Sequence, residues 1–131
     1  MAHVLVVDDE DDIREIVAMR VRRAGHDTQA YGDPRAALEQ AADESYDLAL
    51  LDWSMPFMDG GELCSRLRHL PHLADIPIVI VTAFTDDDTR SRAVAAGATG
   101  FLAKPFTLAD LDRYVADNLD PGIPRARPAA D

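Results

Sequence analysis

The chain has one cysteine, Cys64, one tryptophan, Trp53, and one lysine, Lys104. A lone cysteine rules out an internal disulfide and suits a reducing compartment, so a cytoplasmic location is expected. No apolar run approaches the roughly 20 residues of a membrane-spanning helix, and no membrane association is expected. The opening Met1-Ala2-His3-Val4 has neither the basic segment nor the long apolar stretch of a secretory signal. Positive charge is scarce: 13 Lys and Arg stand against 24 Asp and Glu, for a formal net charge of -11. Gripping a phosphate backbone needs a basic face, so the charge argues against direct nucleic-acid binding by this domain. A basic partner surface or a bound cation fits better.

What is present is a rhythm. The 131 residues suffice for one domain with a real core and are too few for two. Short apolar runs alternate with helical patterns. His3 to Val7 reads as a strand buried on both faces and ending at Asp8. Asp11 and Asp12 open a helix with Ile13, Ile16, Val17, Val21 and Ala24 spaced to face inward, stopped by Gly25. Thr28 to Tyr31 is a more polar strand, expected at an edge. Asp33-Pro34 starts the next helix, with Ala37, Leu38 and Ala41 inward. Tyr46 to Leu51 is the third strand, and a helix led by Gly60 carries Leu63, Leu67 and Leu70. Cys64 falls on its core side and is expected to be packed rather than reactive. Ile76 to Val81, the most apolar run, is a central strand ending at Thr82-Ala83. The helix from about Asp86 to Ala96 has Val94 as its one bulky apolar residue, so it should bury little area and be the most movable. Gly100 to Ala103 is a short strand before Lys104-Pro105, and Leu108, Leu111, Val115 and Leu119 mark the last helix. Residues 121–131, rich in proline and without periodicity, are expected to be a disordered tail or linker stub. His69 and His72 have a spacing that could bind metal, but Pro71 between them breaks the helical face that would align them.

Five strands alternating with five helices imply an α/β fold, a parallel sheet covered on both sides with right-handed crossovers. Function in such sheets sits at the carboxyl ends of the strands, at the switch in strand order. Asp52 alone would be an ordinary strand end meeting water. It gains meaning because Asp8-Asp9, Thr82 and Lys104 close other strands on the same edge. Carboxylates so crowded repel and take up protons unless a cation joins them. Hard oxygen donors in an open site suit Mg²⁺, which accepts phosphate oxygens as well. A phosphoryl group could then lie between the metal and the ammonium of Lys104, with a carboxylate as nucleophile. That the one lysine stands here, in a chain whose other twelve cations are arginines, suggests that a compact point charge is needed.

Four segments carry a family resemblance: Val6-Val7-Asp8-Asp9-Glu10, Leu51-Asp52-x-x-Met55-Pro56-x-x-Asp59-Gly60, Val81-Thr82-Ala83, and Gly97-Ala98-x-Gly100-Phe101-Leu102-x-Lys104-Pro105-Phe106. In this order and spacing the sequence resembles the receiver domain of two-component response regulators, over about residues 3–119 of a domain placed at 1–120. The resemblance implies a flavodoxin-like (βα)5 sandwich with strand order 2-1-3-4-5. It also implies that Asp52 accepts a phosphoryl group from a phosphohistidine on a sensor histidine kinase or phosphotransfer protein, with Mg²⁺ as cofactor. Asp9, Asp52 and the backbone carbonyl of Ser54 would bind Mg²⁺ directly, and Asp8 through water. Lys104 would pair with the phosphoryl group, Thr82 would donate its hydroxyl, and the Trp53 and Ala83 amides would help hold it. Thr82 and Phe101 would then move together and switch the face made by the fourth helix, fifth strand and fifth helix. That face would control a downstream protein or a covalently linked output domain.

Two departures border the path of water to Asp52: Ser54, where the family often has Asn or Met, and the bulky Phe84. Thr99 and Gly100 stand where one DNA-binding subfamily carries paired acids used in dimer contacts, which argues against a dimer of that kind. Two other readings compete. A Mg²⁺-dependent phosphatase with an Asp nucleophile usually needs a second acid two residues later, and here that residue is Ser54. A flavin-binding flavodoxin needs a phosphate-cradling first loop, whereas Asp8 to Asp12 would repel phosphate.

Overall fold

The computed structural model describes residues 2–119; the tail expected over 121–131 lies outside the described residues. The strands are β1 (His3–Val7), β2 (Asp27–Tyr31), β3 (Leu48–Asp52), β4 (Ile78–Thr82) and β5 (Gly100–Ala103). The helices are α1 (Asp11–Arg23), α2 (Pro34–Ala41), α3 (Gly60–Arg68), α4 (Asp87–Ala96) and α5 (Leu108–Leu119), with a 3-10 turn at Pro71–Leu73. All strand pairs are parallel and the order is β2-β1-β3-β4-β5. This is the (βα)5 flavodoxin-like arrangement.

Within the continuous apolar runs a period of two divides the side chains between the faces. Leu5, Val7, Ala49, Leu51, Ile78 and Ile80 share one core with Ala37 of α2, Leu63, Cys64 and Leu67 of α3, and Ala93 of α4. Val4, Val6, Leu48, Leu50, Val79 and Val81 share the other with Val17 and Val21 of α1 and Leu111 and Val115 of α5. Burial pushes the Cys64 thiol up to about 11, so it is a small packed group, as its position on the helix predicts. None of the described helices is long and apolar enough to cross a membrane.

Helix starts follow local chemistry. Asp33, Asp59 and Asp86 cap α2, α3 and α4, their carboxylates accepting from the N–H groups of Arg35, Glu62 and Thr89, which would otherwise lack partners. Gly97 ends α4 at φ 109, in the left-handed region. Some boundaries differ from the sequence expectations. β4 begins at Ile78 rather than Ile76 because Pro77 has no N–H for the ladder. The inward stripe of α1 is Val17, Ala18 and Val21, while Ile16 and Met19 face outward, 40% and 43% exposed. Leu108 is exposed too. The two histidines do not converge: His69 donates through Nδ1 to the Ser65 carbonyl and His72 through Nε2 to the Ala41 carbonyl.

The chain turns back after β3 through a close backbone approach. The Gly60 N–H donates to the Trp53 carbonyl at 2.8 Å. A Cβ at Gly60 would lie 2.4 Å from the Asp52 carbonyl oxygen and 3.0 Å from the Trp53 Cα. Backbone cannot yield as a side-chain tip can. Gly60→Ala is therefore expected to lower stability by about 1–3 kcal/mol, the usual cost of forcing an extra methyl into a packed site, as read by urea unfolding. An unchanged midpoint would show that the loop gives way more easily than this contact implies.

Candidate functional site

The strand order reverses between β1 and β3, and their carboxyl ends form the crevice where α/β sheets place their chemistry. The register decides what gathers there. Val7 pairs with Leu51, so Asp8 and Asp52 emerge side by side. Asp52 pairs with Val81, and Thr82 with Ala103, which brings Lys104 to the same rim. Backbone bonds prolong the ladder past the strand ends: Asp8 N–H to Tyr31 at 3.1 Å, Trp53 N–H to Val81 at 3.0 Å, and Lys104 N–H to Thr82 at 2.8 Å. The site is thus an extension of the sheet.

Lys104 stands at its centre. Its Nζ lies 3.2 Å from Asp8 Oδ2, 3.0 Å from Glu10 Oε1 and 3.2 Å from Asp52 Oδ1. Asp8 and Asp52 are buried, whereas Glu10 reaches in from an exposed position past the strand end. The Glu10 N–H donates to Asp8 Oδ1 at 2.9 Å, and Arg14 donates to the Asp8 carbonyl at 2.9 Å. These bonds fix the β1–α1 turn around the acids.

The electrostatics follow from crowding. Burial, then the neighbouring charge of Asp8, push the Asp52 carboxyl up to about 7; a hydrogen bond with the Asp9 side chain adds to the rise, and Lys104 opposes it. Burial would lower the Lys104 ammonium, but its bond to Glu10 and the charges of Asp8 and Asp52 outweigh it and hold the group above its ordinary range. Three carboxylates against one ammonium leave two negative charges, the charge of one divalent cation. Carboxylate oxygens of Asp8, Glu10 and Asp52 all lie within 4.8 Å of one another. Such an all-oxygen, partly open donor set fits Mg²⁺.

The remaining expected residues fall as follows. Thr82 is buried at the same rim, its Oγ1 accepting from the Phe84 N–H at 2.9 Å. Ala83 and Ser54 are exposed in the loops beside it. Asp9 is exposed and lies outside the Asp8, Glu10 and Asp52 group, though its carboxyl reaches Asp52. The Trp53 amide does not face the crevice as a free donor, because its N–H is spent on Val81. Phe101 is half-buried on β5, five residues past the end of α4. Sequence reasoning missed Glu10, since it credited strand-end residues and Glu10 is beyond the strand; its length lets it reach back. Phe84 is 51% exposed. Further along the loop, Phe57 sits at φ 75 in a tight turn closed by the Met58 N–H on the Pro56 carbonyl, with the Arg35 guanidinium 3.6 Å over its ring.

The chain matches the family model described as the response regulator receiver domain over residues 4–116. It is 35% identical over 108 residues, 82% of this chain and 47% of the relative, to the phosphate regulon transcriptional regulatory protein PhoB of Pseudomonas aeruginosa. The chain spans about half or less of the length of the curated relatives it matches. Among solved structures, chemotaxis protein CheY4 of Vibrio cholerae superposes with a TM-score of 0.87 at 34% identity, covering 91% of this chain and 99% of that one. The receiver domain of sensor histidine kinase PA1611 from Pseudomonas aeruginosa, with a magnesium ion in its active-site cleft, superposes with a TM-score of 0.82 at 26% identity, covering 90% and 97%. An acidic crevice whose oxygen donors fit Mg²⁺, at the β1–β3 switch point of a (βα)5 sheet that matches these two solved structures almost end to end, makes this chain a member of the response-regulator receiver family, a Mg²⁺-dependent phospho-accepting switch.

Proposed function

We propose that Asp52 is the residue that accepts the phosphoryl group, and that its donor is a phosphohistidine on a sensor histidine kinase or phosphotransfer protein. The observation that carries this reading is the convergence of Asp8, Glu10 and Asp52 on Lys104 at 3.0–3.2 Å. An Asp52 carboxylate oxygen attacks phosphorus in line, the bond from phosphorus to the donor's imidazole nitrogen breaks, and the imidazole leaves with that electron pair. Asp9, Asp52 and the Ser54 carbonyl would hold Mg²⁺ directly and Asp8 through water, as the family resemblance implies, and Glu10 adds a carboxylate within reach of the same ion. When bound, the ion neutralises charge on the phosphoryl oxygens. Lys104 exchanges its carboxylate contacts for the incoming phosphoryl oxygens, supplying a charge already in place. Thr82 gives up the Phe84 N–H and turns its hydroxyl toward the same oxygens, which the Ala83 amide would help to hold, as the family resemblance implies.

A cleft of about 370 Å³ opens beside Lys104, lined by Ile13, Ile16, Ala83, Pro105, Phe106 and Leu108. Its apolar walls meet the charged crevice at Glu10 and Lys104, which suits a donor protein that must dock by hydrophobic contact while presenting phosphohistidine at its edge. Output then passes through the α4–β5–α5 face to a downstream protein or a linked output domain. The acidic balance of the chain disfavours nucleic acid as a direct partner.

Incubation with acetyl phosphate and Mg²⁺ is expected to add one labile phosphoryl group per chain, located on Asp52 by mass spectrometry. Asp52→Asn, or chelation of the metal, is expected to abolish it. Continuous consumption of acetyl phosphate would favour the phosphatase alternative instead. The lone Trp53, adjoining Asp52, should change its fluorescence on phosphorylation.

Phe84 lies two residues past Thr82 and is proposed to shield Asp52 from water. Phe84→Ala is expected to shorten the lifetime of the phosphorylated form several-fold, followed as loss of label after removal of the donor. Loss at the parental rate would show that the ring shields nothing.

A further inference from the structure

We propose that Arg90 and Arg92 are positioning residues that clamp α4 onto two aromatic rings in the resting state, and so set how readily Asp52 becomes phosphorylated. This rests on the phospho-acceptor reading of Asp52. Helix α4 buries only Thr89 and Ala93. At 3.6 residues per turn, Arg90 and Arg92 project roughly 80° to either side of that stripe. Each finds a ring. The Arg90 guanidinium carbon lies 4.8 Å from the centroid of Phe101 on β5, and that of Arg92 lies 5.5 Å from the centroid of Trp53, just past β3. Because β4 runs between β3 and β5, the helix straddles β4 with one cationic arm over an aromatic on each side. These contacts replace the leucines that anchor α3.

In the switch proposed above both rings would move. Trp53 directly follows Asp52. Phe101 packs beside the core that holds Ala93, and its inward turn would follow any shift of Thr82 toward a phosphoryl group. Such a turn withdraws the ring face from Arg90, and a new occupant at Asp52 disturbs the ring under Arg92. A contact made in one state and lost in the other is the kind of interaction that sets a two-state balance. The exposed guanidiniums add little other anchoring: the Asp88 carboxylate is as far as 4.0 Å from Arg92.

The test uses the whole chain with Mg²⁺ and acetyl phosphate, reading the initial rate of labelling by intact mass for Arg90→Gln, Arg92→Gln and the double variant. Arg66→Gln, which removes a charge paired with Glu62 on the exposed side of α3, is the charge-matched control. Each single variant is expected to label about two- to five-fold faster, the range that loss of an exposed cation–π contact confers. The double variant should exceed either, Arg90→Lys should restore most of the parental rate, and Arg66→Gln should match the parent. The Trp53 emission of unphosphorylated Arg90→Gln should move toward that of the phosphorylated parent, which a merely structural role would not cause. Parental or slower rates in both arginine variants, with label still on Asp52, would overturn the clamp and leave the acceptor assignment standing. Label taken up equally by Asp52→Asn would remove the reading beneath it.

Discussion

Repulsion among carboxylates at the rim of the sheet governs this molecule. Asp8, Glu10 and Asp52 are gathered at one rim, and among the described residues Lys104 is the one cation that touches all of them. An acid kept near 7 by burial and by a like-charged neighbour stores unfavourable energy that only added positive charge or a proton can relieve. The scaffold sustains this because the acids are not free to separate. Asp8 and Asp52 directly follow Val7 and Leu51, a pair in adjacent strands, and the chain beyond each is pinned by hydrogen bonds. Affinity for a divalent ion, and through it for a phosphoryl donor, comes from that enforced crowding.

The fold serves the constraint by keeping its own acidity elsewhere. Much of the net charge of -11 lies at helix starts. Asp33, Asp59 and Asp86 cap α2, α3 and α4, and Asp11, Asp12, Asp87 and Asp88 occupy first turns, where carboxylates meet the positive end of the helix dipole. The run from Asp8 to Asp12 therefore divides into two jobs: its first half builds the crevice and its second half starts α1. Arg14 spans the boundary, bonding both the Asp8 carbonyl and the Asp11 carboxylate.

What could be read from the sequence followed the strength of the local signal. The apolar runs of β1, β3 and β4, the Asp-Pro start of α2 and the glycine stop of α4 are each decided by nearest-neighbour chemistry, and they form where expected, except that β3 and β4 each begin two residues later, at Leu48 and Ile78. Asp8, Asp52 and Lys104 come together because parallel strands that end on polar residues end on one edge. The failures are tertiary. Ile16, Ala24 and Leu108 fit an inward spacing, yet they face outward, because α1 and α5 carry apolar residues on more than one side and the spacing alone does not say which side meets the sheet. Glu10 was invisible as a site residue because its reach depends on the turn of the loop. The arginines of α4 read as ordinary surface charges until the rings beneath them were in place.

The weak seating of α4 follows from the same economy of apolar side chains. Helix α3 buries Leu63 and Leu67 completely, each worth about 1.5–3 kcal/mol against exposure. Helix α4 has a threonine, an alanine, the Arg68 guanidinium of α3 on its Gly97 cap carbonyl and two guanidinium–ring contacts, the latter about 0.5–1 kcal/mol each when exposed. Reversing a 99:1 preference takes about 5.5 kcal/mol of differential interaction, and a phosphoryl group contributes only a few charge-assisted bonds. A helix anchored like α3 would consume most of that in being dislodged. One held mainly by surface cations would leave it available to move Thr82 and Phe101 as proposed above, so the poverty of apolar residues on α4 is what would let a single phosphoryl group be felt on the far side of β4.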